Sequence, residues 1–401
     1  MNPILKFGCR IYQAAFHAAL PLLPYREPEI FHSVDDLAPL FTRLGTQSVL
    51  LVTDKFLHSS GITGPLVTLL AENHIRCTVY DGVQPNPTVD NVEAALKSYI
   101  ENDCTCLVAI GGGSSIDCAK AVGARIAYPK RSLNSLKGIL RVLRKLPPLI
   151  AIPTTAGTGS EVTLTAVITD PKTHHKYTMN SFPLIPRYAV LDPKMTVSLP
   201  PHLTATTGMD ALTHAVEAYI GRSTTRDTRN MALEATGLIF ANIRKAYQDG
   251  ADLEARENML QAAYLAGNAF SQSYVGYIHA VAHSLGGQYN TPHGLANTVL
   301  MPYVLESYGA AAHRKLHELA IAAGISVPTE SHQAGAEKFI EAIRELNRAM
   351  NIPEKLPNIR EEDIPTMAKH AGREANPLYP VPVIMDHREL ETFYRQVADW
   401  S

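Results

Sequence analysis

The segment VAIGGGSSIDCAK, residues 108–120, carries the pattern that decides the fold of the first half of this chain. A short apolar run leads into three glycines, Gly111–Gly113, and an amphipathic helical pattern follows. Glycines let backbone N–H groups approach a ligand closely, and the helix directs its positive dipole end toward the turn. This order predicts a loop that binds a pyrophosphate. The motif is not G-x-G-x-x-G, and Ser114 with Asp117 also fits an N-terminal capping pair, so both interpretations stay open.

Apolar, β-branched runs alternate with helical patterns through the first half of the chain, as in NVEAALKSYIEN at 91–102. The predicted buried strands are SVLLVTD (48–54), CTVYDGV (77–83), CLVAIGG (106–112) and PLIAIPT (148–154). Strands that alternate with helices predict a parallel sheet covered on both faces.

The sequence changes character after LDPKMTVSLPP at 191–201. Strand signals largely vanish, and long Ala- and Leu-rich segments repeat apolar residues at helical spacing. These segments are ATTGMDALTHAVEAYIG (205–221), TRNMALEATGLIFANIRKAY (228–247) and ARENMLQAAYLAGNAF (255–270). We therefore predict an N-terminal extension at 1–30, an α/β dinucleotide-binding domain at 31–200 and an all-α domain at 201–401.

Composition excludes several classes of protein. The formal net charge is −2 and no long run of one sign occurs, which argues against a nucleic-acid surface. The densest basic stretch, 130–145, places Leu and Ile at helical spacing and predicts a solvated helix face. No apolar run reaches about 18 residues, so we expect no membrane span. Residues 3–20 are expected to form an amphipathic helix. Five cysteines without a C-x-x-C pair suit a reducing compartment, so we expect a cytoplasmic protein.

Two loops at the ends of predicted strands carry polar groups suited to a nucleotide. Asp54 ends the first strong strand, where an acidic residue can accept ribose hydroxyls and would repel a 2′-phosphate, which favours NAD over NADP. A simple helix cap ahead of Lys55 is the alternative function of Asp54. The loop IPTTAGTGSEVT, 152–163, offers four hydroxyls and two glycines within seven residues. An ordinary turn does not need so many polar groups, so we expect this loop to be functional.

Four histidines and one aspartate in the second half have the spacing of metal ligands. Asp210 and His214 lie one helical turn apart, and His279 and His283 repeat that spacing. His293 follows in the turn NTPHG. A tetrahedral site takes about four protein donors, so these five residues are one too many. Spacing alone leaves open which of them is surplus.

Six motifs stand in a fixed order along the chain: VTDK, NPT, GGGSSIDCAK, IPTTAGTGSE, GMDALTHAVEAY and HAVAHSLGGQYNTPHG. From about residue 30 to the C-terminus, the chain resembles the iron-containing (group III) alcohol dehydrogenase family. The resemblance implies an α/β nucleotide-binding domain with a parallel sheet, followed by an all-α metal-binding domain, as in the dehydroquinate synthase-like fold. It also implies a metal-dependent, NAD-linked enzyme that interconverts an alcohol and an aldehyde or ketone, commonly as a homodimer.

The resemblance assigns roles to individual residues. The positions that match metal ligands are Asp210, His214, His279 and His293. His283 matches a histidine beside the nicotinamide that does not ligate, and such an imidazole can relay protons. The positions that match dinucleotide contacts are Asp54, Asn86, Gly112, Gly113, Ser114, Thr154, Thr155, Thr158 and Lys176. The family implies Fe²⁺, whereas three imidazoles and a carboxylate also suit Zn²⁺.

The substrate is expected to be a small alcohol or aldehyde. Leu164, Thr165 and Phe270 are predicted to form walls of its pocket. The first thirty residues are longer than the family's usual start, so the resemblance gives them no role. Two alternatives remain, a hydroxyacid–oxoacid transhydrogenase that keeps its cofactor bound and a metal-dependent hydrolase that activates water.

Overall fold

The computed structural model describes residues 3–171 and 175–400. They form two compact units. One, the α/β unit, is Pro24–Leu199, and the other, the helical unit, combines Met1–Leu23 with Pro200–Ser401. The first helix, α1 (Pro3–Ala19), therefore belongs to the helical unit, and the helix expected near the N-terminus is present.

The α/β unit is built around a parallel sheet. The strands are β1 (Glu29–Phe31), β2 (Ser48–Val52), β3 (Arg76–Tyr80), β4 (Cys106–Gly111), β5 (Gly138–Ile139), β6 (Leu149–Pro153), β7 (Thr165–Asp170), β8 (His175–Asn180) and β9 (Tyr188–Val190). Six of them form the main sheet in the spatial order β1-β9-β6-β4-β2-β3, all parallel, and β5, β8 and β7 form a smaller sheet. The four predicted strands and the parallel sheet are confirmed.

Helices cover both faces of the main sheet. They are α2 (Leu37–Leu44), α3 (Lys55–Ser59), α4 (Gly64–Glu72), α5 (Val89–Glu101) and α6 (Gly113–Ala127). Every residue of β2, β4 and β6 is buried. Along β2, Leu50 packs in the hydrophobic cluster that includes residues of α5 and α6, whereas Val49 and Leu51 pack in the cluster with residues of α2 and α4. Burial on both faces explains why these strands are continuously apolar.

The helical unit contains the long helices predicted for the second half of the chain. They are α7 (Pro201–Ile220), α8 (Arg226–Gln248), α9 (Leu253–Ser273), α10 (Tyr277–Tyr289), α11 (His293–Ser307), α12 (His313–Ala322), α13 (His332–Ala349), α14 (Ile364–Ala375) and α15 (His387–Val397). The predicted fold class, a parallel α/β domain followed by an all-α domain, is confirmed. Among the described residues, no helix combines the length and apolar character needed to cross a membrane.

The helix predicted for the basic stretch 130–145 is wrong. Only Leu133–Leu136 forms a short 3₁₀ turn, and β5 begins after Lys137. Gly138 and Leu140 adopt positive φ angles of 94° and 54°, which an α-helix cannot contain. Leu133, Leu136 and Val142 are buried in an irregular connection, whereas Ile139, Leu140 and Leu143 are exposed. The apolar residues therefore recur at helical spacing without forming a helix.

Candidate active site

Four side chains of the helical unit converge on one point. Asp210 and His214 come from α7, His279 from α10, and His293 is the first residue of α11. One donor atom of each lies within 4.8 Å of those of the others. Asp210 Oδ1 is 3.6 Å from His293 Nε2 and 3.9 Å from His279 Nε2. These are the four residues that the family resemblance selects, and together they have the composition and spacing of a metal site.

His279 is oriented by Glu217, a buried residue of α7 that the sequence analysis did not single out. Glu217 Oε2 accepts hydrogen bonds from His279 Nδ1 at 2.7 Å and from the Gly276 N–H at 2.7 Å, while Oε1 accepts from the Ile278 N–H at 2.8 Å. A Cβ on residue 276 would lie 2.7 Å from Glu217 Oε1, so only glycine allows this close approach.

The hydrogen bond to Glu217 leaves His279 Nε2 as the nitrogen with a free lone pair. That atom is buried and has no hydrogen-bond partner among the described residues. Burial, reinforced by the neighbouring His214, His293 and His283 rings, lowers the pKa of His279 well below its usual value, so the ring stays neutral. A neutral, unpaired imidazole nitrogen that faces three other donors fits a divalent metal ion.

Two further residues hold the other donors. Asn297 Nδ2 donates to Asp210 Oδ1 at 2.7 Å and lies 3.1 Å from His293 Nε2. The Phe270 ring stacks on the His214 ring with centroids 4.2 Å apart and an interplanar angle of 16°. Asn297 had no signal in the sequence, whereas Phe270 was predicted as a pocket wall. The cluster is therefore preorganised by polar and aromatic contacts of the same unit.

His283 lies beside the four donors and makes a different contact. Its ring is stacked on His293 with centroids 5.2 Å apart and lies 5.9 Å from the His279 centroid. Its Nδ1 is 2.6 Å from Glu374 Oε1. Burial alone would lower the pKa of His283, but the charge and hydrogen bond of Glu374 outweigh it and raise that pKa.

Most of the predicted dinucleotide contacts follow neighbouring strands of the main sheet, whereas Lys176 lies within β8 of the smaller sheet. Three of them meet directly, because the Asn86 N–H donates to Ser114 Oγ at 3.3 Å and Lys176 Nζ donates to Asn86 Oδ1 at 2.9 Å. Asp54 follows β2 and caps α3, since its Oδ1 accepts from the Leu57 N–H at 2.9 Å. Asp54 is therefore a helix cap, the alternative function that the sequence left open. One carboxylate can serve both as a cap and as an acceptor for ribose hydroxyls.

The glycine turn precedes α6 as the sequence predicts. Gly112 occupies the N-cap position without a side-chain cap, so the first N–H groups of the helix are available to an anion. A Cβ on Gly113 would lie 3.0 Å from Thr158 Cγ2, which shows how closely the two loops approach. The capping pair of Ser114 and Asp117 is wrong, because Asp117 instead accepts from Ser160 Oγ at 2.5 Å and from the Val167 N–H at 2.9 Å.

Thr154, Thr155 and Thr165 make contacts within the α/β unit. Thr154 is buried directly after β6 and its N–H donates to Gly111 O at 3.1 Å. The side chain of Thr155 lies beside Gly112. Thr165 Oγ1 donates to Asn180 Oδ1 at 2.6 Å in the smaller sheet. Leu164 precedes it, and the roles of Leu164, Thr165 and Phe270 in a substrate pocket stay predictions.

The four-donor cluster could hold a metal ion, and the match to known families gives the class of the protein. Residues 30–193 match the family model described as "Iron-containing alcohol dehydrogenase". Residues 204–398 match the model described as "Fe-containing alcohol dehydrogenase family, C-terminal". The chain belongs to the iron-containing alcohol dehydrogenase family, and it is a metal-dependent oxidoreductase that interconverts alcohols and carbonyl compounds.

Similar proteins support this assignment. A 1,3-propanediol dehydrogenase of Citrobacter freundii is 40% identical over 357 residues, which cover 88% of this chain and 92% of that protein. An NAD-dependent methanol dehydrogenase of Bacillus methanolicus is 37% identical, covering 84% and 89% of the two chains. A crystal structure of a 1,3-propanediol oxidoreductase superposes with a TM-score of 0.89 at 37% identity, covering 93% of this chain and 99% of the other.

Proposed function

We propose that this protein is an NAD-linked alcohol dehydrogenase whose metal ion is held by Asp210, His214, His279 and His293. The observation that carries the proposal is that one donor atom of each residue lies within 4.8 Å of the others, and that Nε2 of His279 is buried without a hydrogen-bond partner among the described residues. Fe²⁺ is proposed because of the family, and Zn²⁺ is chemically suited to the same donors.

When bound, a divalent ion supplies a Lewis acid that makes the alcohol hydroxyl more acidic, and NAD supplies the hydride acceptor. The residues of the chain prepare the site for that chemistry. Glu217 fixes the tautomer of His279, so that Nε2 remains a neutral donor. Glu374 engages His283 at Nδ1, which leaves Nε2 as the atom that exchanges the hydroxyl proton.

The α/β unit is proposed to hold NAD. The N–H groups at the start of α6, with Gly112, Gly113 and Ser114, would take the pyrophosphate. Asp54 would accept ribose hydroxyls and disfavour a 2′-phosphate. The other proposed dinucleotide contacts are Asn86, Thr154, Thr155, Thr158 and Lys176. Support comes from the positions of Asp54, the glycine turn and Thr154 after neighbouring strands. The contacts among Lys176, Asn86 and Ser114 give further support.

The substrate, location and assembly are further proposals. The names of the relatives, a propanediol dehydrogenase and a methanol dehydrogenase, favour a small alcohol or diol. The five cysteines are free thiols, which suits the reducing cytoplasm. A homodimer is proposed from the family resemblance alone.

The test is a screen of cofactor reduction by the purified protein after chelation and reconstitution with Fe²⁺ or Zn²⁺. Primary alcohols, diols and hydroxy acids are offered with NAD or NADP, and NADH formation is followed by absorbance. We expect metal-dependent NADH formation with a small alcohol or diol. Turnover of a hydroxy acid with an oxo acid in the absence of added NAD would instead indicate a transhydrogenase. Hydrolysis without NAD, or no NADH formation at full metal occupancy, would refute the proposal.

A further inference from the structure

Helix α1 precedes the part of the chain that the family descriptions match, which begins at residue 30. Its polar residues nevertheless bind the C-terminal part of the helical unit. Gln13 is only 4% exposed, and its Nε2 donates to Tyr379 O at 2.7 Å and to Pro377 O at 3.2 Å. Arg10 donates to the carbonyl oxygens of Val381 and Pro382, both at 2.7 Å. Each contact joins a side chain of α1 to the backbone of residues 377–382, which we call the α1-bound segment.

Arg10 and Gln13 also bind each other, because Arg10 Nη1 donates to Gln13 Oε1 at 2.8 Å. Farther along α1, the Phe16 ring packs edge-on against Tyr274 with centroids 5.0 Å apart. Tyr274 in turn lies 6.4 Å from the Tyr379 ring. The backbone and the ring of Tyr379 are therefore both supported, directly or through Tyr274, by α1.

Tyr379 connects this support to the candidate active site. Its hydroxyl donates to Glu374 Oε1 at 2.7 Å. The same oxygen accepts from His283 Nδ1 at 2.6 Å. Glu374 is near the C-terminus of α14, and its side chain and that of His283 are 36% and 38% exposed. Because this ion pair is only partly buried, it contributes little to stability. The two hydrogen bonds that Glu374 Oε1 accepts therefore matter mainly for the orientation of His283.

We propose that Glu374 is a positioning residue for His283. We also propose that α1 holds Glu374 in place through the α1-bound segment and Tyr379. The inference rests on the proposed role of His283 in the reaction. With Nδ1 held by Glu374, the imidazole has one orientation and one tautomer, and Nε2 is presented for proton exchange. The N-terminal extension thereby becomes part of the active-site architecture.

Two substitutions of Glu374 separate positioning from charge. Glu374→Gln keeps an oxygen that can accept from both His283 and Tyr379, whereas Glu374→Leu removes it. We expect kcat of Glu374→Leu to fall about tenfold with unchanged metal content, and the KM for the alcohol to change little. Glu374→Gln should stay within about twofold of the wild type. Wild-type kcat in Glu374→Leu, or an equal loss in both variants, would overturn the proposal.

The proposed support of Glu374 by α1 is tested by a double-mutant cycle. Arg10→Met combined with Gln13→Leu removes the polar contacts of α1, and we expect kcat to fall about threefold or more. In the Glu374→Leu background the same pair should have almost no further effect on kcat, because α1 is proposed to act through Glu374. Full additivity of the losses in kcat would overturn the proposed support by α1. Phe7→Ser, at a residue on α1 that is 68% exposed, is the matched control and should leave kcat unchanged.

A spectroscopic readout keeps this inference separate from the proposed function. In the Zn²⁺-loaded protein labelled with ¹⁵N-histidine, the His283 signals are identified by their absence in His283→Asn. We expect a protonated Nδ1 in the wild type and in Glu374→Gln, and averaged tautomers in Glu374→Leu and in the α1 double variant. An unchanged tautomer in Glu374→Leu would overturn the inference, even if no alcohol were oxidised. An inactive wild type with the expected tautomers would instead refute only the proposed function.

Discussion

Replacement of Glu217 by Leu is the perturbation for which the structure gives the clearest magnitude. The change removes the acceptor of three buried hydrogen bonds, from His279 Nδ1, the Gly276 N–H and the Ile278 N–H. Loss of a partner that orients a metal-ligating histidine lowers metal affinity by about 10- to 100-fold. The upper value corresponds to about 2.7 kcal/mol. Each buried N–H left without an acceptor costs about 1–3 kcal/mol, so the free energy of unfolding should fall as well.

The assay is a competition for Zn²⁺ between the protein and a chelator of known affinity, with chemical denaturation measured in parallel. Glu217→Gln should be intermediate, because one amide oxygen cannot serve donors on both sides of the original carboxylate. Glu318→Gln is the matched control. Glu318 accepts a hydrogen bond from Tyr219, a residue of α7 like Glu217, but it orients none of the four candidate metal ligands. Wild-type affinity for Zn²⁺ in Glu217→Leu would refute the reasoning that Glu217 prepares His279 for the metal.

Three other predictions follow from single side chains. Asp54→Gly should raise the NADP/NAD ratio of kcat/KM about tenfold, or about 1.4 kcal/mol, in steady-state kinetics with both cofactors, and an unchanged ratio would leave Asp54 only as the cap of α3. His283→Ala should retain its metal but lose about 10²-fold in turnover, whereas metal loss on elemental analysis would make His283 a ligand. Lys120 is fully buried, and its Nζ lies 3.9 Å from Asp117 Oδ1. Lys120→Met should therefore destabilise the protein by about 3–5 kcal/mol in denaturant unfolding, and a loss of less than about 1 kcal/mol would contradict this.

The fold followed from periodicity because its strongest signals are local. The buried strands are continuous apolar runs, and α7, α8 and α9 repeat apolar residues at helical spacing, so both were predictable. The prediction for the stretch 130–145 was wrong because Leu residues recur three apart there, as they would on one face of a helix. Positive φ angles at Gly138, the first residue of β5, and at Leu140, the residue after it, are instead incompatible with a helix. No local pattern distinguishes such a connection from a short helix.

The candidate metal residues could be predicted from local sequence patterns, but not all the residues that orient them could. The candidate metal residues include two pairs one helical turn apart, Asp210 with His214 and His279 with His283, which the sequence displays. The family motifs then reduced the five candidates to four. Glu217 carried a usable signal, because it lies one turn beyond His214 in the same motif and such acids can orient ligands. Glu374 carried none, since it is 91 residues from His283 and only the packing of α14 against α10 brings them together. Contacts between side chains distant in sequence are set by tertiary packing, which periodicity does not encode.

The most direct test of the central claim is the metal content of the wild type, His279→Ala and His293→Ala after equal reconstitution with Fe²⁺ or Zn²⁺ and removal of excess ion. Inductively coupled plasma analysis gives the number of ions per chain, and NADH formation is measured on the same samples. The account predicts about one ion per chain in the wild type and strongly reduced occupancy in both variants, with activity falling in parallel. Full occupancy in both variants would contradict the four-donor site.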